Sequence, residues 1–378
     1  MLEIILLGSL AVLAYIYVGY PVLAMILGRV FERPVSKAAE LPSVTVVITA
    51  YNEERHIADK IDNVLALDYP GRSLEIIVAS DASDDATDEI VSNFGAPNIR
   101  LLRVEGRQGK TACQNAAASA SSAELLVFTD ATTMLEQQSL RVMAANFHDP
   151  QVGCVAGRLV YLVLGDDATG KGGTSYWGYE TRLRLAESAL GSLVGVSGCL
   201  YAVRRSAYRP IAPDLISDFV IAMDMRDQHL RTVLEPTAIC SETTLDRPDR
   251  ELSMRIRVGL RSLSALASRR RFLNPFRYGV FAWQLWSHKL LRYLSPVFVL
   301  LAAGSNFALA LKGQYQLLMA LQIATGAAGL TGFIPGWRFR QSPLTAQPYY
   351  FLLTNVASAI SIVRFLRGER VLTWRPLR

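Results

Sequence analysis

The residues of this sequence that are best suited to chemistry are two aspartates, each of which follows a short apolar run. Leu125–Phe128 leads through a threonine into Asp130, and Leu74–Ala79 leads through a serine into Asp81. Apolar runs with polar boundaries are typical of strands buried on both faces. Carboxylates at the carboxyl ends of such strands could hold Mg²⁺ or Mn²⁺ against a phosphate. Asp130 could also simply cap the next helix, but the matching position of Asp81 favours a ligand site.

A basic, glycine-flanked turn lies between these two aspartates. Gly106–Thr111 (GRQGKT) is predicted to open a helix, so its backbone amides and Lys110 could bind a diphosphate. The spacing to the preceding glycines does not match a Walker phosphate loop. Alone, this turn is weak evidence for a phosphate site.

The elements that must position these groups alternate along the chain, as in βαβ units. Strands are predicted at Val44–Thr49, Leu74–Ala79 and Ile99–Val104, and helices at Glu53–Leu65, Asp85–Phe94 and Lys110–Ala120. The strand ending near Asp130 follows. The pattern predicts an α/β domain with a parallel sheet, and it places both aspartates at one edge of that sheet.

Several segments carry a family resemblance, namely VVITAYNEE, IIVASDASDDATDEI, GRQGKTACQNAA and FTDATTM. Over about Val44–Leu263 the sequence resembles the family 2 glycosyltransferases, which are inverting, nucleotide-sugar-dependent enzymes. The likeness is greatest to bacterial exopolysaccharide glycosyltransferases of the membrane. The resemblance implies a GT-A domain (a Rossmann-like nucleotide-diphospho-sugar transferase fold) with an N-terminal transmembrane helix and C-terminal interfacial and transmembrane helices.

The resemblance also implies a donor site with a bound Mg²⁺ or Mn²⁺. The metal ligand would be Asp130, while Thr132 stands where the family's D-x-D motif has its second aspartate. The implied donor-binding residues are Ala50, Tyr51, Asn52, Glu53, Ser80, Asp81, Lys110, Asn115, Asp130, Ala131, Gly198 and Arg257.

Further segments resemble the acceptor side of the family. ISDFVIAMDM occupies the place of the acidic base motif, so Asp218 is implied as the general base, with Asp224 and Asp227 as rivals on the following helix. YWGYETRLRLAES implies acceptor-side roles for Trp177, Tyr179 and Glu180, although a helix packed on the sheet would also explain these residues.

Processive members of the family carry Q-x-x-R-W after the base. Here the arginine is Arg257, but Met254 and Val258 replace the glutamine and tryptophan. This departure favours the transfer of a single sugar over polymer synthesis.

The 378 residues are 51% hydrophobic, with a mean hydropathy of +0.23, and the apolar residues are concentrated at the two ends. Ile4–Gly28 contains no charged residue and is long enough to cross a bilayer, although a buried core helix would also fit. Arg29, Arg33 and Lys37 follow, which places the next domain in the cytoplasm. The four cysteines match no zinc spacing and are expected to be free thiols.

The C-terminal part combines basic and apolar stretches. Arg250–Arg292 is basic and interleaved with aromatic residues, as in helices that lie in the headgroup layer; nucleic-acid binding is the less favoured alternative. Three uncharged runs follow, at Tyr293–Leu311, Gly313–Trp337 and Gln341–Val363. Arginines after the second and third runs both favour the cytoplasm, so either one run does not fully cross or one arginine cluster faces outward.

These observations predict a transmembrane helix at 1–30, a linker at 31–43, a GT-A domain at 44–250, interfacial helices at 251–292, transmembrane helices at 293–366 and a basic tail at 367–378. The expected protein is a multi-pass enzyme of the bacterial inner membrane. It would move one sugar from a UDP-linked donor to a polyprenyl-diphosphate-linked glycan on the cytoplasmic side, in exopolysaccharide or capsule assembly. A processive synthase of the hyaluronan or cellulose type and a non-catalytic sugar-nucleotide-binding protein are the alternatives.

Overall fold

The structure is a computed structural model that describes residues 1–162, 168–243, 248–334, 343–371 and 373. Its helices are α1 (Leu2–Ala14), α2 (Tyr20–Val30), α3 (Ile57–Leu65), α4 (Thr87–Asn93), α5 (Lys110–Ala120), α6 (Ser139–Ala145), α7 (Ala168–Ala189), α8 (Ser217–Asp227), α9 (Pro248–Ser268), α10 (Pro275–Tyr278), α11 (Val280–Gln284), α12 (Leu291–Ala310), α13 (Gln316–Thr331) and α14 (Pro343–Leu366). Its strands are β1 (Val44–Ala50), β2 (Leu74–Ser80), β3 (Ile99–Arg103), β4 (Leu125–Asp130), β5 (Met134–Leu135), β6 (Val152–Leu162), β7 (Leu200–Arg204) and β8 (Arg231–Thr243).

The strands form a mixed sheet in the order β3-β2-β1-β4-β7-β6-β8-β5. The pairs β3–β2, β2–β1 and β1–β4 are parallel, whereas β4–β7, β7–β6 and β8–β5 are antiparallel. All of β1 and nearly all of β2 and β4 are buried, as expected for apolar strands covered on both faces. The predicted α/β class is therefore confirmed.

The register brings the carboxyl ends of three parallel strands together. Thr49 lies opposite Asp130, and Ala50 lies opposite Ser80. The Asp81 amide donates to the Ala50 carbonyl at 2.9 Å, which continues the pairing by one residue. Both predicted aspartates thus lie at one edge of the sheet, where open α/β folds bind ligands.

The chain divides into two compact units, which we call the sheet unit and the apolar unit. The sheet unit contains Leu27–Val160 and Arg184–Glu242, and the apolar unit contains Met1–Ile26, Tyr161–Leu183 and Thr243–Arg370. This division differs from the predicted domain boundaries. Residues 161–183, which the sequence assigns to the catalytic domain, group with the apolar helices, whereas residues 27–43, which it assigns to the first helix and a linker, group with the sheet.

The segment after the first apolar helix is held on the sheet unit by a buried arginine. The Arg231 guanidinium donates to the carbonyls of Arg33 at 2.7 Å, Pro34 at 3.3 Å and Gly191 at 2.8 Å. The Arg33 amide in turn donates to the Ala189 carbonyl at 2.9 Å. The start of the predicted linker at 31–43 is thus fixed to the sheet unit although it forms no regular helix or strand.

Among the described residues, three helices that lie mainly in the apolar unit are long and apolar enough to cross a membrane: Leu2–Val30, Val280–Ala310 and Leu344–Leu366. The second of these begins inside the stretch predicted to be interfacial, because α11 continues through the π-helical turn Leu285–Leu290 into α12. The remaining apolar helix, α13, has 16 residues, so it is about 24 Å long at about 1.5 Å per residue. That is shorter than a bilayer core of roughly 30 Å.

Polar contacts join the helices of the apolar unit. Tyr17 donates to the Ser295 hydroxyl at 3.2 Å, and Ser295 donates to the Asn355 side chain at 2.7 Å. Helices α9 and α14 approach closely at Gly259, where an added Cβ would lie 2.5 Å from the Ser361 hydroxyl oxygen. Such hydrogen bonds and small residues are typical of helix packing in membranes, where apolar burial cannot drive association.

Candidate active site

Lys110 and Asp130 form the centre of the candidate site in the sheet unit. Lys110 opens α5 directly after Gly109, whose φ of 92° favours glycine. The Lys110 ammonium donates to the Asp130 carboxylate and to the Gly198 carbonyl, the latter at 3.1 Å. The two charged side chains retain 21% and 30% of their exposure, so the pair is open to a ligand.

The local charges keep Lys110 a cation. Burial lowers the pKa of its ammonium, but the hydrogen-bonded Asp130 carboxylate and the charge of Asp218 outweigh burial and raise that pKa above its ordinary value. A fixed positive charge beside a carboxylate suits a site that binds a phosphate and a cation together.

Asp218 reaches the same point from the first turn of α8. A Cβ built on Gly198 would lie 2.9 Å from the Asp218 Oδ2 atom and 3.3 Å from the Lys110 Nζ atom. The structure therefore brings Asp130, Lys110, Gly198 and Asp218 together around one position, although 88 residues separate Lys110 from Gly198 along the chain. The catalytic role of Asp218 remains a prediction.

The two rival aspartates differ from Asp218 in their surroundings. Asp224 is 2% exposed on α8, and Asp227 pairs with Arg209 at 3.2 Å. Asp218 is the half-buried one, and it is also the one that approaches Lys110 and Gly198. The geometry thus favours Asp218 over both rivals as a proton acceptor near the site.

Asp81 orders the basic turn. Its carboxylate accepts the backbone amides of Gln108 at 2.8 Å and Gly109 at 3.1 Å. These are amides that the sequence would assign to a diphosphate. Asp81 thus fixes the loop that presents Lys110, and a direct contact of Asp81 with the donor stays a prediction.

The predicted nucleotide side lies at the ends of β1 and β2. The Arg107 guanidinium lies 3.5 Å from the centre of the Tyr51 ring. Asn52 has a φ of 55° and exchanges hydrogen bonds with Asp84: its side-chain amide donates to the Asp84 carboxylate, and the Asp84 backbone amide donates back at 2.9 Å. These contacts shape the pocket edge where the sequence predicts the base and ribose.

The other predicted donor residues of the sheet unit are less available to a ligand. Ala50, Ser80 and Ala131 are buried. The Glu53 Oε2 atom lies 2.9 Å from the His56 Nδ1 atom. The Asn115 amide holds the 208–211 segment: it donates to the Ile211 carbonyl at 2.7 Å, and its oxygen accepts from the Tyr208 hydroxyl and the Ile211 amide.

The donor set beside Asp130 fits Mg²⁺ or Mn²⁺. Thr132 donates to Glu242 Oε1 at 3.3 Å, so a second carboxylate lies next to the incomplete D-x-D motif. Among the described residues, no group of three or more His, Cys, Asp or Glu side chains could hold a metal by itself. Magnesium-type sites use one or two carboxylates together with substrate phosphates, which agrees with both observations.

A buried lysine supports the same turn from beneath. Lys60 is 0% exposed, and its ammonium donates to the Thr129 hydroxyl at 3.1 Å and to the Thr133 carbonyl. Burial lowers the pKa of Lys60 to about 7, against the opposing charges of Cys240 and Asp130. Sequence reasoning missed both Lys60 and Glu242, because neither lies in or beside a recognised motif.

The remaining predicted residues belong to the apolar unit. The Tyr179 hydroxyl donates to the Tyr17 carbonyl at 3.0 Å. Glu180 is buried, pairing with His288 at 2.8 Å and Arg292 at 2.9 Å. Arg257 lies on α9, and the side chain of Trp177 lies outside the described residues. Their acceptor and donor roles stay predictions.

Comparison with known proteins identifies the family. Residues 45–211 match the family described as Glycosyl transferase family 2. Residues 45–211 therefore form a family 2 glycosyltransferase domain. They include all but the first residue of β1, together with β2, β4 and the turn that carries Lys110, and the family predicted from the sequence is confirmed.

Two curated relatives support this assignment. The poly-beta-1,6-N-acetyl-D-glucosamine synthase of Staphylococcus aureus is 27% identical over 219 residues, which cover 55% of this chain and 52% of the relative. The chain thus matches about half the length of that relative. An N-acetylglucosaminyltransferase of Rhizobium meliloti is 26% identical over 357 residues, which cover 87% of this chain and 77% of the relative.

A solved structure has the same architecture. It is a mannosyltransferase from Pyrobaculum calidifontis in complex with GDP-Man and Mn²⁺; the superposition has a TM-score of 0.73 at 24% identity and covers 98% of this chain and all of that one. The predicted GT-A fold with flanking apolar helices is confirmed.

Proposed function

We propose that this family 2 glycosyltransferase is an inverting enzyme that moves one sugar from a nucleotide-sugar donor to a lipid-diphosphate-linked glycan. The single observation that carries the proposal is the convergence of Lys110, Asp130 and Asp218 around Gly198. A cation, a metal-binding carboxylate and a second carboxylate at one point are the groups that a displacement at an anomeric carbon requires.

The chemistry assigns a role to each group. The acceptor hydroxyl oxygen forms the new bond to the anomeric carbon while the bond to the nucleoside diphosphate breaks. Asp218 takes the hydroxyl proton as general base, and Lys110 stabilises the charge that develops on the departing diphosphate. A bound Mg²⁺ or Mn²⁺, held by Asp130, would supply further positive charge to the same oxygens. Attack opposite the leaving group inverts the anomeric configuration.

The names of the relatives guide the choice of donor. One relative is an N-acetylglucosaminyltransferase and another is an N-acetylglucosamine polymer synthase, so a UDP-linked N-acetylhexosamine is the first donor to test. The neighbour with GDP-Man and Mn²⁺ makes GDP-mannose the second. The proposed acceptor is a polyprenyl-diphosphate-linked glycan at the cytoplasmic face of the bacterial inner membrane. A membrane enzyme is supported by the three described helices that could cross a bilayer, and a bacterial one by the organisms of the two relatives.

A thermal-shift screen tests donor binding. UDP-, GDP- and dTDP-sugars are added with Mg²⁺ or Mn²⁺ to the purified full chain in detergent, and the binding donor is expected to raise the melting temperature. The binding donor is then used radiolabelled with membrane lipid extract as the acceptor source. Loss of transfer with retained donor binding is expected for Asp218→Asn. Full transfer activity in that variant would overturn the assignment of the base.

A processive polysaccharide synthase is the second candidate, favoured by the name of the Staphylococcus aureus relative. The replacement of the family's glutamine and tryptophan by Met254 and Val258 disfavours it. Product size separates the two candidates: one added sugar per acceptor supports single transfer, whereas a ladder of long products supports a synthase.

A further inference from the structure

We propose that Glu242 supplies the second carboxylate of the metal site, in the role that Thr132 cannot fill. The inference rests on the proposed function, since it concerns the cation that accompanies a nucleotide-sugar donor. It adds a residue from β8 to a site whose other proposed ligand, Asp130, lies at the end of β4.

The sheet register places Glu242 beside the motif. In the antiparallel pair β5–β8, Leu135 lies opposite Cys240 and Met134 lies opposite Ser241. Glu242 is the next residue of β8. Because the pairing is antiparallel, β8 runs at this point toward Asp130. The Thr132 hydroxyl confirms the approach, because it donates to Glu242 Oε1 at 3.3 Å.

The local electrostatics fit a divalent cation between the two acids. Glu242 is half-buried, and the charges of Glu242 and Asp130 act on one another. Two carboxylates that repel one another in a partly buried pocket cost free energy, and a divalent cation bound by both would offset that cost. Lys110 alone cannot neutralise both acids, because its ammonium is directed to Asp130 and the Gly198 carbonyl.

The neighbouring thiol is a poorer ligand than Glu242. Cys199 approaches Glu242 Oε2 at 3.6 Å. Hard cations such as Mg²⁺ and Mn²⁺ prefer oxygen ligands to sulfur, so the Glu242 carboxylate is the better ligand.

The test measures Mn²⁺ binding to the full chain in detergent by the electron paramagnetic resonance signal of free Mn²⁺, with UDP or GDP present. Glu242→Gln is expected to weaken Mn²⁺ binding about tenfold or more. The double variant Thr132→Asp with Glu242→Gln returns the second aspartate of the motif, and it is expected to regain most of the affinity. Glu105→Gln makes the same change at an acid whose side chain is 86% exposed, and it serves as the control.

Melting temperatures separate a metal ligand from a merely structural acid. Without added metal, Glu242→Gln is expected to melt no lower than wild type, because it removes the repulsion with Asp130; the rise in melting temperature on adding Mn²⁺ and nucleotide is expected to shrink. A lower melting temperature with an unchanged Mn²⁺ response would show that Glu242 only anchors Thr132.

The outcomes also separate this inference from the proposed function. If wild type binds Mn²⁺ and Glu242→Gln binds it equally well, the inference is wrong while metal-assisted transfer stands. If Glu242→Gln does not fold, Thr132→Asp alone decides. Where Glu242 already fills the place of the second aspartate, the added carboxylate should change Mn²⁺ affinity little, whereas a large gain in affinity would show that Glu242 does not fill that place. If wild type binds no Mn²⁺ with any nucleotide, the metal-assisted mechanism itself fails.

Discussion

Gly198 is the residue around which the candidate catalytic groups assemble, because it has no side chain where two of them meet. An alanine there would place its Cβ 2.9 Å from an Asp218 oxygen and 3.3 Å from the Lys110 nitrogen. Both contacts are with the ends of side chains, which can move aside at little cost in stability. If the Asp218 carboxylate and the Lys110 ammonium move aside, however, they lose their alignment with each other.

We therefore expect Gly198→Ala to lower kcat by about 10²-fold while changing the melting temperature little. Transfer assays and thermal unfolding of the same preparation check both parts. Gly71→Ala is the control, because nothing lies within 4 Å of a Cβ built there. A variant with wild-type kcat would show that the side chains around Gly198 need no fixed alignment.

Glu235 gives a prediction for pH. Its side chain is 3% exposed, and it accepts from Lys37 at 2.5 Å and from Asn146 at 2.8 Å. Burial would raise the pKa of this carboxyl, but the hydrogen bonds from Asn146, Lys37 and Thr237 hold it below its ordinary value of 4.5. A lowered pKa contributes stability above pH 4.5, and that stability is lost as the pH falls through the folded-state pKa.

Glu235→Gln is accordingly expected to destabilise the protein at pH 7 by about 1.5–3 kcal/mol. The difference from wild type should shrink as the pH falls below 4.5. Thermal unfolding at a series of pH values measures it. A difference that stays constant down to acid pH would mean that shape rather than charge accounts for the effect.

At the scale of single residues, the sequence indicated Asp130 by its place at a strand end, Lys110 by a glycine-flanked turn and Asp218 by the family resemblance. The structure brings the three together, and their roles stay predictions. Glu242 was not found, because its proximity depends on the pairing of Leu135 in β5 with Cys240 in β8, 105 residues apart. Asn115 and Glu180 were expected to face ligands, but the structure shows them bound to other parts of the chain.

At the scale of elements, β1, β2 and β4 were predicted nearly to the residue, because each is a largely buried and apolar run. The strands β5 to β8 were not predicted from the sequence. Helix starts were less accurate. The helix expected from Glu53 begins at Ile57, because the Glu53 amide is taken by the Thr87 hydroxyl at 2.8 Å and the Glu54 amide by Asp85 at 3.2 Å. Thr87 and Asp85 lie 34 and 31 residues further along the chain than the amides they bind. A local sequence pattern cannot predict such contacts.

The contact between α9 and α14 yields a prediction about packing. Gly259→Ala would place a methyl group 2.5 Å from the Ser361 oxygen and 3.0 Å from the Ser361 Cβ. Serine is too short to move away, and its hydroxyl is already bound to the carbonyls of Ile256 and Ala357. Overpacking of this kind costs about 1–3 kcal/mol.

We expect Gly259→Ala to lower the melting temperature in detergent. Gly304→Ala on α12 is the matched control, since nothing lies within 4 Å of its added Cβ and alanine favours a helix. It should leave the melting temperature unchanged or raise it. Equal melting temperatures for the two variants would mean that the helices do not approach closely at Gly259.

At the scale of the whole molecule, the membrane topology was left open by the sequence and is narrowed by helix length. Three of the described helices are long enough to cross a bilayer. Helix α13 is too short to cross unless the membrane thins around it. If only the three long helices cross, the sheet unit and the arginines after α14 both lie in the cytoplasm, as the basic residues favour. Arg338 and Arg340, the other basic pair, lie outside the described residues.

Cysteine labelling tests this arrangement. A membrane-impermeant maleimide is expected to label Gln314→Cys, between α12 and α13, in intact spheroplasts. Arg367→Cys, after α14, should react only once the membrane is permeabilised. Wild type is the background control: Cys113, Cys154 and Cys240 are buried, and the reaction of the half-buried Cys199 is measured there. Labelling of Arg367→Cys in intact spheroplasts would place the C-terminal end outside and require α13 to cross.

The hydrogen bonds from Arg231 to the carbonyls of Arg33 and Pro34 limit where this enzyme can be truncated. A water-soluble fragment cut to begin at Val44, where the first strand starts, would strip a buried guanidinium of two acceptors. The Gly191 carbonyl would remain as an acceptor, but a buried charge that loses part of its hydrogen bonds costs free energy, so such a fragment should be less stable and more prone to precipitate. A fragment that begins at Leu27 keeps all the hydrogen bonds of Arg231 to Arg33, Pro34 and Gly191. Expression trials should start with that fragment.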